Sequence, residues 1–297
     1  MFKDIVLAAA QSEASEAAAD AAFSFARKHE ANLLVVHVCG LPSHGWGSIR
    51  QMVPSGEVQR IKNQVQEHFQ DRASNVANCR FEVVPGVPHS EILRIARKAN
   101  ADLIVMGTHT KEFLEKRKRG IWGLTGSTLE RVSQRAKCPV MIVTRAVPEE
   151  SLEFKNIVAA TDFSYEAECA IYYAAQMARQ YKSHLHIFHV LQEGMEEQIA
   201  SQEEIEEVKD RMAKEYQERL KGLQECSYET WEGKPAMEIL KFARQKKADL
   251  IIMAHHSKEV DPERAYMGSN MAQVALNANC PTISVNRHFD LRCALYE

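Results

Sequence analysis

Residues 101–128 read ADLIVMGTHTKEFLEKRKRGIWGLTGST, an apolar run that meets Gly107 and a segment that closes on Gly126-Ser127-Thr128. A strand end, a glycine and a helix N-terminus are the parts of a phosphate cradle. The glycine lets backbone approach an anion, and the unsatisfied N–H groups of the first helical turn point at it. The same residues suit a purely structural role, with Gly107 ending a strand and Ser127 capping a helix. The basic tract Lys116-Arg117-Lys118-Arg119 lies between the glycines. It either reaches toward phosphate or is a solvated charge run. His109, His255 and His256 follow comparable apolar runs, yet no ordered ligand spacing supports a zinc site. Neither a Ser-His-Asp order, paired carboxylates nor a Walker loop with Lys-Ser/Thr is found, so the expectation is a protein that is not an enzyme.

The elements that would position these residues come from a repeat. FKDIVLAAAQS at Phe2 matches FKNIVAATDFS at Phe154, and His37-Val38 meets His189-Val190. FEVVPGVPHSEILRIARKANADLIVMGTH matches YETWEGKPAMEILKFARQKKADLIIMAHH, and GSTLERVSQRAKCPVMIV matches GSNMAQVALNANCPTISV. Two domains are therefore expected, residues 1–147 and 153–289, joined by the proline- and acid-bearing stretch AVPEESLE. Their lengths suit ordinary domains of about 150 residues.

Each copy alternates short apolar runs with segments of helical period. Ala18, Ala22, Phe25 and Ala26 share one face of a helix over 13–29, and Val58, Ile61, Val65 and Phe69 share another. In the second copy Ile205, Val208, Met212, Tyr216 and Leu220 do the same. Pro88 opens a helix whose inner face is Ile92, Leu93 and Ala96. Apolar strands separated by helices predict an α/β fold, a parallel sheet covered on both faces. Ligands of such sheets lie at the carboxyl ends of the strands, where the strand order reverses.

Composition sets the remaining bounds. A net charge of −3, with 26% charged and 45% hydrophobic residues, is ordinary for a globular chain and argues against a nucleic-acid binder. No apolar run approaches the ~18–20 residues that span a bilayer, and Asp4 interrupts the N-terminal apolar stretch, so neither membrane insertion nor a signal peptide is expected. Seven cysteines without a CxxC suggest a reducing, cytoplasmic setting. The cysteines of Cys138-Pro139 and Cys280-Pro281 read as buried rather than reactive.

VMGTH, GST and CPV in order, twice, resemble the universal stress protein family, in its tandem two-domain form. The resemblance covers almost the whole chain. It implies two repeated five-stranded parallel-sheet domains, Rossmann-like and adenine nucleotide α-hydrolase-like, with strand five of one pairing strand five of the other. The family's nucleotide motif is Gly-x2-Gly-x9-Gly-Ser/Thr after strand four, completed by an Asp that meets adenine at the end of strand one. In the first copy Gly107 matches, with Met106 before it as a candidate site residue, but Thr110 stands at the second glycine, Gly126, Ser127 and Thr128 come later than the motif places them, and Ala10 stands at the Asp. In the second copy Asp162 matches. Ala254 and Ser257 replace the glycines before Gly268-Ser269. Val38 and Val190 would border the base. The first copy thus keeps the better phosphate loop and the second the better base contact.

The resemblance implies a cytoplasmic stress-response protein that binds adenine nucleotide, ATP or AMP, weakly, for signalling rather than catalysis. The alternative is a degenerate tandem scaffold that binds no nucleotide and acts through protein contacts. Phosphates are expected in the first copy. No nucleic acid and no membrane partner are expected, and the chain is expected to form a homodimer.

Overall fold

Apolar segments such as DIVLA and LIIMA become strands in which successive residues are buried on both faces, as a sheet covered by helices requires. The computed structural model describes residues 2–10, 13–40, 56–108, 127–191, 201–255 and 269–286. The chain divides into two units, Phe2–Ala146 and Val147–Glu297.

The first unit runs β1 (Asp4–Ala8), α1 (Glu13–Lys28), β2 (Asn32–Gly40), α2 (Glu57–His68), a short α3 (Gln70–Ala73), β3 (Cys79–Gly86), α4 (Pro88–Lys98), β4 (Leu103–Met106), α5 (Ser127–Arg135) and β5 (Val140–Ile142). Its strands lie in the order β3-β2-β1-β4-β5, each parallel to its neighbour. The second unit opens with a 3-10 turn (Glu149–Glu153). It continues with β6 (Asn156–Thr161), α6 (Tyr165–Tyr181), β7 (His184–Leu191), α7 (Gln202–Leu220), β8 (Cys226–Glu232), α8 (Pro235–Gln245), β9 (Leu250–Ala254), α9 (Ser269–Asn277) and β10 (Thr282–Val285). Its order is β8-β7-β6-β9-β10, again parallel. In both units the order reverses beside the first strand, between β1 and β4 and between β6 and β9.

Local chemistry explains most boundaries. Pro88 and Pro235 open α4 and α8, where a missing N–H costs nothing. Ser164 caps α6 by accepting from the Ala167 N–H, and Ser201 with Glu204 forms a capping box on α7. Glu30, Asn100, Lys182 and Lys247 follow the ends of four helices with φ between 48° and 54°. The residue after each bonds back into its helix, as Ala31 N–H does to the Ala26 carbonyl at 2.9 Å. Asp102 and Asp249 pin the sheet from below. Asp102 Oδ2 accepts from the N–H groups of Lys3 (2.9 Å) and Asp4 (3.1 Å), and Asp249 Oδ2 accepts from Asn156 N–H (3.0 Å).

The predicted face of α1 is buried, and Ala17, Ala19, Ala21 and Phe23 are buried beside it. The expected faces of the second helices are covered mainly toward their C-terminal ends. In α7, Met212, Tyr216 and Leu220 are buried, where the helix packs on both β8 and α6, while Ile205 and Val208 are half-covered. Val58, Ile61 and Val65 of α2 are half-covered, and Phe69, just past its end, is buried. Among the described residues no helix is long and apolar enough to cross a membrane.

Candidate functional site

The parallel register brings the carboxyl ends of neighbouring strands level. In the first unit Ala8 lies opposite both Val36 and Met106. Val38 on β2, Ala10 beyond β1, and Met106 with Gly107 at the end of β4 therefore gather at one end of the sheet. Met106 is buried and its carbonyl accepts from Val143 N–H at 2.9 Å, which ties β4 to the chain after β5. Thr128 is half-buried in the first turn of α5, which begins at Ser127. Thr110 and Gly126 lie outside the described residues, as do His109 and the tract Lys116–Arg119. The backbone at Ala10 donates to Ser15 Oγ at 2.7 Å, so the turn into α1 closes through a serine, with a methyl group where the second copy has a carboxylate.

In the second unit Thr161 ends β6 opposite His189, so Asp162 emerges beside Val190. Asp162 is exposed and Val190 is buried. One oxygen of the carboxylate, Oδ1, accepts from the Ser164 backbone N–H at 3.1 Å and from the Ser164 hydroxyl at 2.6 Å. This is an Asx turn, in which a short acidic side chain holds the backbone two residues on. Ser164 Oγ in turn accepts from Ala167 N–H at 3.0 Å, so the carboxylate and the cap of α6 form one hydrogen-bonded chain. Ala254 and His255 are buried at the end of β9, and His255 N–H donates to the Val285 carbonyl at 2.7 Å. Ser257, Gly268 and His256 lie outside the described residues, and Ser269 begins α9.

The strand-two histidines have one job in both copies. His37 Nδ1 meets the Ala9 carbonyl at 3.0 Å, and His189 Nδ1 meets the Thr161 carbonyl at 2.8 Å. A carbonyl only accepts, so Nδ1 is the protonated nitrogen in each ring. Burial holds the His189 pKa below the usual range, and Arg211 adds to this, against the opposing effects of the Thr161 bond and Asp162. His189 is therefore neutral near pH 7.

Sequence reasoning missed the side chains around this end of β6. The Phe163 ring packs tilted against the His189 ring, centroids 4.7 Å apart, and the Arg211 guanidinium carbon sits 3.8 Å from the Phe163 centroid. Tyr216 OH lies 2.6 Å from Thr161 Oγ1. Burial pushes the Tyr216 phenol up to about 12, so it stays protonated. Tyr216 was visible as part of an amphipathic stripe; nothing local marked Arg211. Burial raises the Cys79 and Cys226 thiols to about 11 and Cys280 to about 12, which disfavours the reactive thiolate at these three. Among the described residues, no three His, Cys, Asp or Glu side chains come together as a metal site.

A sequence profile described as the universal stress protein family matches this chain twice, over residues 1–144 and 153–286. A universal stress protein of Methanocaldococcus jannaschii is 33% identical over 156 residues, which is 50% of this chain and 86% of that protein. The universal stress protein YxiE of Bacillus subtilis is 30% identical over 158 residues, 48% of this chain and 99% of that protein. A crystal structure of a universal stress protein from Archaeoglobus fulgidus superposes with a TM-score of 0.68 at 22% identity and covers 96% of each chain, a likeness of fold.

Proposed function

The chain belongs to the universal stress protein family, and from that premise we propose that it binds an adenine nucleotide, ATP or AMP, weakly and as a signal rather than for turnover. The observation that carries the proposal is Asp162, exposed at the carboxyl end of β6, where the strand order reverses between β6 and β9. Such crevices are where open parallel sheets take ligands. The carboxylate accepts hydrogen bonds only, so it suits an exocyclic amino group such as that of adenine.

The phosphate end is assigned to a helix N-terminus beside a strand-four end. In the first copy this is the start of α5 at Ser127 and Thr128, with Gly107 after β4. A helix N-terminus favours an anion by about 0.3–1 kcal/mol at an exposed site. Each charge-assisted hydrogen bond adds ~1.5–3 kcal/mol. Three or four such bonds, less the cost of ordering the ligand, place affinity in the micromolar to millimolar range. The second copy has Asp162 but carries Ala254 at the first glycine's place, so a ligand with fewer phosphates suits it better.

The test is direct. Mass spectrometry of acid-released small molecules from the purified chain, followed by calorimetric titration with ATP, AMP and cyclic AMP, should show an adenine nucleotide bound at micromolar to millimolar strength. Titrations flat to millimolar concentration for all three would replace this reading by that of a scaffold acting through protein contacts.

A further inference from the structure

Phe163, the residue after Asp162, is held by more contacts than a turn requires. It lies in the left-handed backbone region at φ 61°, which is uncommon for a bulky side chain. Strain of this kind persists only where the surroundings hold it in place. Here they do. The Phe163 N–H donates to Thr161 Oγ1 at 3.0 Å. The ring packs 4.7 Å from the His189 imidazole, and lies nearly parallel, 7°, to the Tyr216 ring at 6.4 Å. On its outer side the Arg211 guanidinium sits 3.8 Å from the ring centroid, within cation–π range, and Glu215 orients that guanidinium through a 3.2 Å ion pair. His189 and Tyr216 are both bonded to Thr161, one through its carbonyl and the other through its hydroxyl. The set links β6, β7 and α7 around one aromatic ring.

We propose that Phe163, capped by Arg211 and seated on His189, is a positioning residue that holds the Asp162 carboxylate in place at the rim of the second copy, and that this copy alone reads the base of a bound nucleotide. The proposal rests on the functional reading above. Its mechanism is geometric. The backbone on either side of Asp162 is fixed, by the His189 bond to the Thr161 carbonyl and by the Phe163 N–H bond to the Thr161 hydroxyl. The pinned ring keeps Phe163 from relaxing to the right-handed region. That relaxation would rotate the peptide between Asp162 and Phe163 and pull Ser164 away from Oδ1.

The first copy supplies the contrast. His37 keeps the bond to the Ala9 carbonyl, so that lock is shared scaffolding. Where the second copy has Thr161, Arg211, Tyr216 and Asp162, the first has Ala9, Gln64, Phe69 and Ala10. It lacks the hydroxyl pair, the guanidinium and the carboxylate together. The clamp occurs in the copy that has a carboxylate to position.

The experiment uses the full chain with Arg211→Gln and Phe163→Gly, and Gln64→Ala as the matched substitution in the first copy. AMP affinity is measured by calorimetry. Hydrogen exchange at the Phe163 and Ser164 amides is measured without ligand. Loss of an exposed cation–π contact corresponds to about a threefold to fivefold effect, so Arg211→Gln should weaken AMP binding and speed exchange by about that factor. Phe163→Gly should weaken binding further while remaining folded, because glycine accepts the left-handed conformation without strain. Gln64→Ala should change neither readout. Unchanged exchange at these amides in Arg211→Gln overturns the proposal whether or not nucleotide binds. Faster exchange with unchanged AMP affinity overturns it as well. A wild-type chain that binds ATP but not AMP overturns the base-reading role of the second copy, and one that binds neither overturns the functional reading with it.

Discussion

Replacing Asp162 by asparagine and by alanine separates the turn that the carboxylate holds from the base contact proposed for it. Oδ1 holds the turn into α6 by accepting from the Ser164 N–H at 3.1 Å and the Ser164 hydroxyl at 2.6 Å. Alanine removes that acceptor. At an exposed turn the loss costs about 1–2 kcal/mol, the net worth of one or two such bonds. Asparagine keeps a carbonyl oxygen in the same place and supports Asx turns as well as aspartate does, so its cost should stay below about 0.5 kcal/mol. Binding follows a different order. A hydrogen bond to a charged acceptor is worth ~1.5–3 kcal/mol and a neutral one ~0.5–1.5 kcal/mol. The asparagine variant should therefore lose about 1–1.5 kcal/mol of AMP affinity, close to a factor of ten, with its stability intact. The alanine variant should lose at least as much affinity and be less stable. Isothermal titration with AMP, paired with chemical denaturation of the same preparations, reads both quantities. If the alanine variant loses stability but neither variant changes AMP affinity, Asp162 is a turn former only, and the base is not read in the second copy.

Two further outcomes follow from the interior of the second unit. His186 is 4% exposed, with its pKa pushed down to about 4 by burial first and by His184 and Lys246 after it. An unfolded histidine titrates near ~6.5, so as pH falls from there toward 4 the unfolded chain takes up a proton that the folded one refuses. That lowers stability by up to about 3 kcal/mol by pH 4 and contributes nothing above pH ~7. Denaturation at pH 7, 6 and 5 should show the wild type losing more stability than His186→Gln, and parallel losses would contradict this. Gly233 has φ 141°, and a Cβ there would stand 2.9 Å from Glu238 Cγ, a side chain held by Lys241 at 2.7 Å. Gly233→Ala should destabilise by about 1–3 kcal/mol in the same assay, from backbone strain and displacement of Glu238; an unchanged midpoint would show that the turn relaxes freely.

Much of the fold was legible because its signals are local. LIVM is the fourth strand residue for residue, Pro88 starts α4, and the repeat located each element of the second copy from the first. The part of the site made by neighbours in sequence was also within reach: Asp162 and Ser164 are two residues apart. Periodicity was less informative about cover. Val58, Ile61, Val65 and Phe69 do share a face, yet only Phe69 of them is buried, whereas Met212, Tyr216 and Leu220 are buried on the face that Ile205 and Val208 continue half-covered. A pattern of side chains states which residues point the same way and carries nothing about what packs against them.

The amino-acid sequence by itself determined the two-copy α/β plan, the strand ends where a ligand would gather, and the placing of Ala10 where the second copy has the carboxylate of Asp162. Tertiary structure alone decided what surrounds that carboxylate. Thr161 and Tyr216 are 55 residues apart and meet at 2.6 Å, and Arg211 reaches the Phe163 turn from α7. Asp102 carries no mark of being a clamp, yet it bonds the backbone of Lys3, 99 residues away. Helix and strand periods follow from interactions within a few residues, which the order of residues records. A cluster assembled across β6, β7 and α7 depends on which faces the folded sheet brings together, and that is settled only when the chain has closed upon itself.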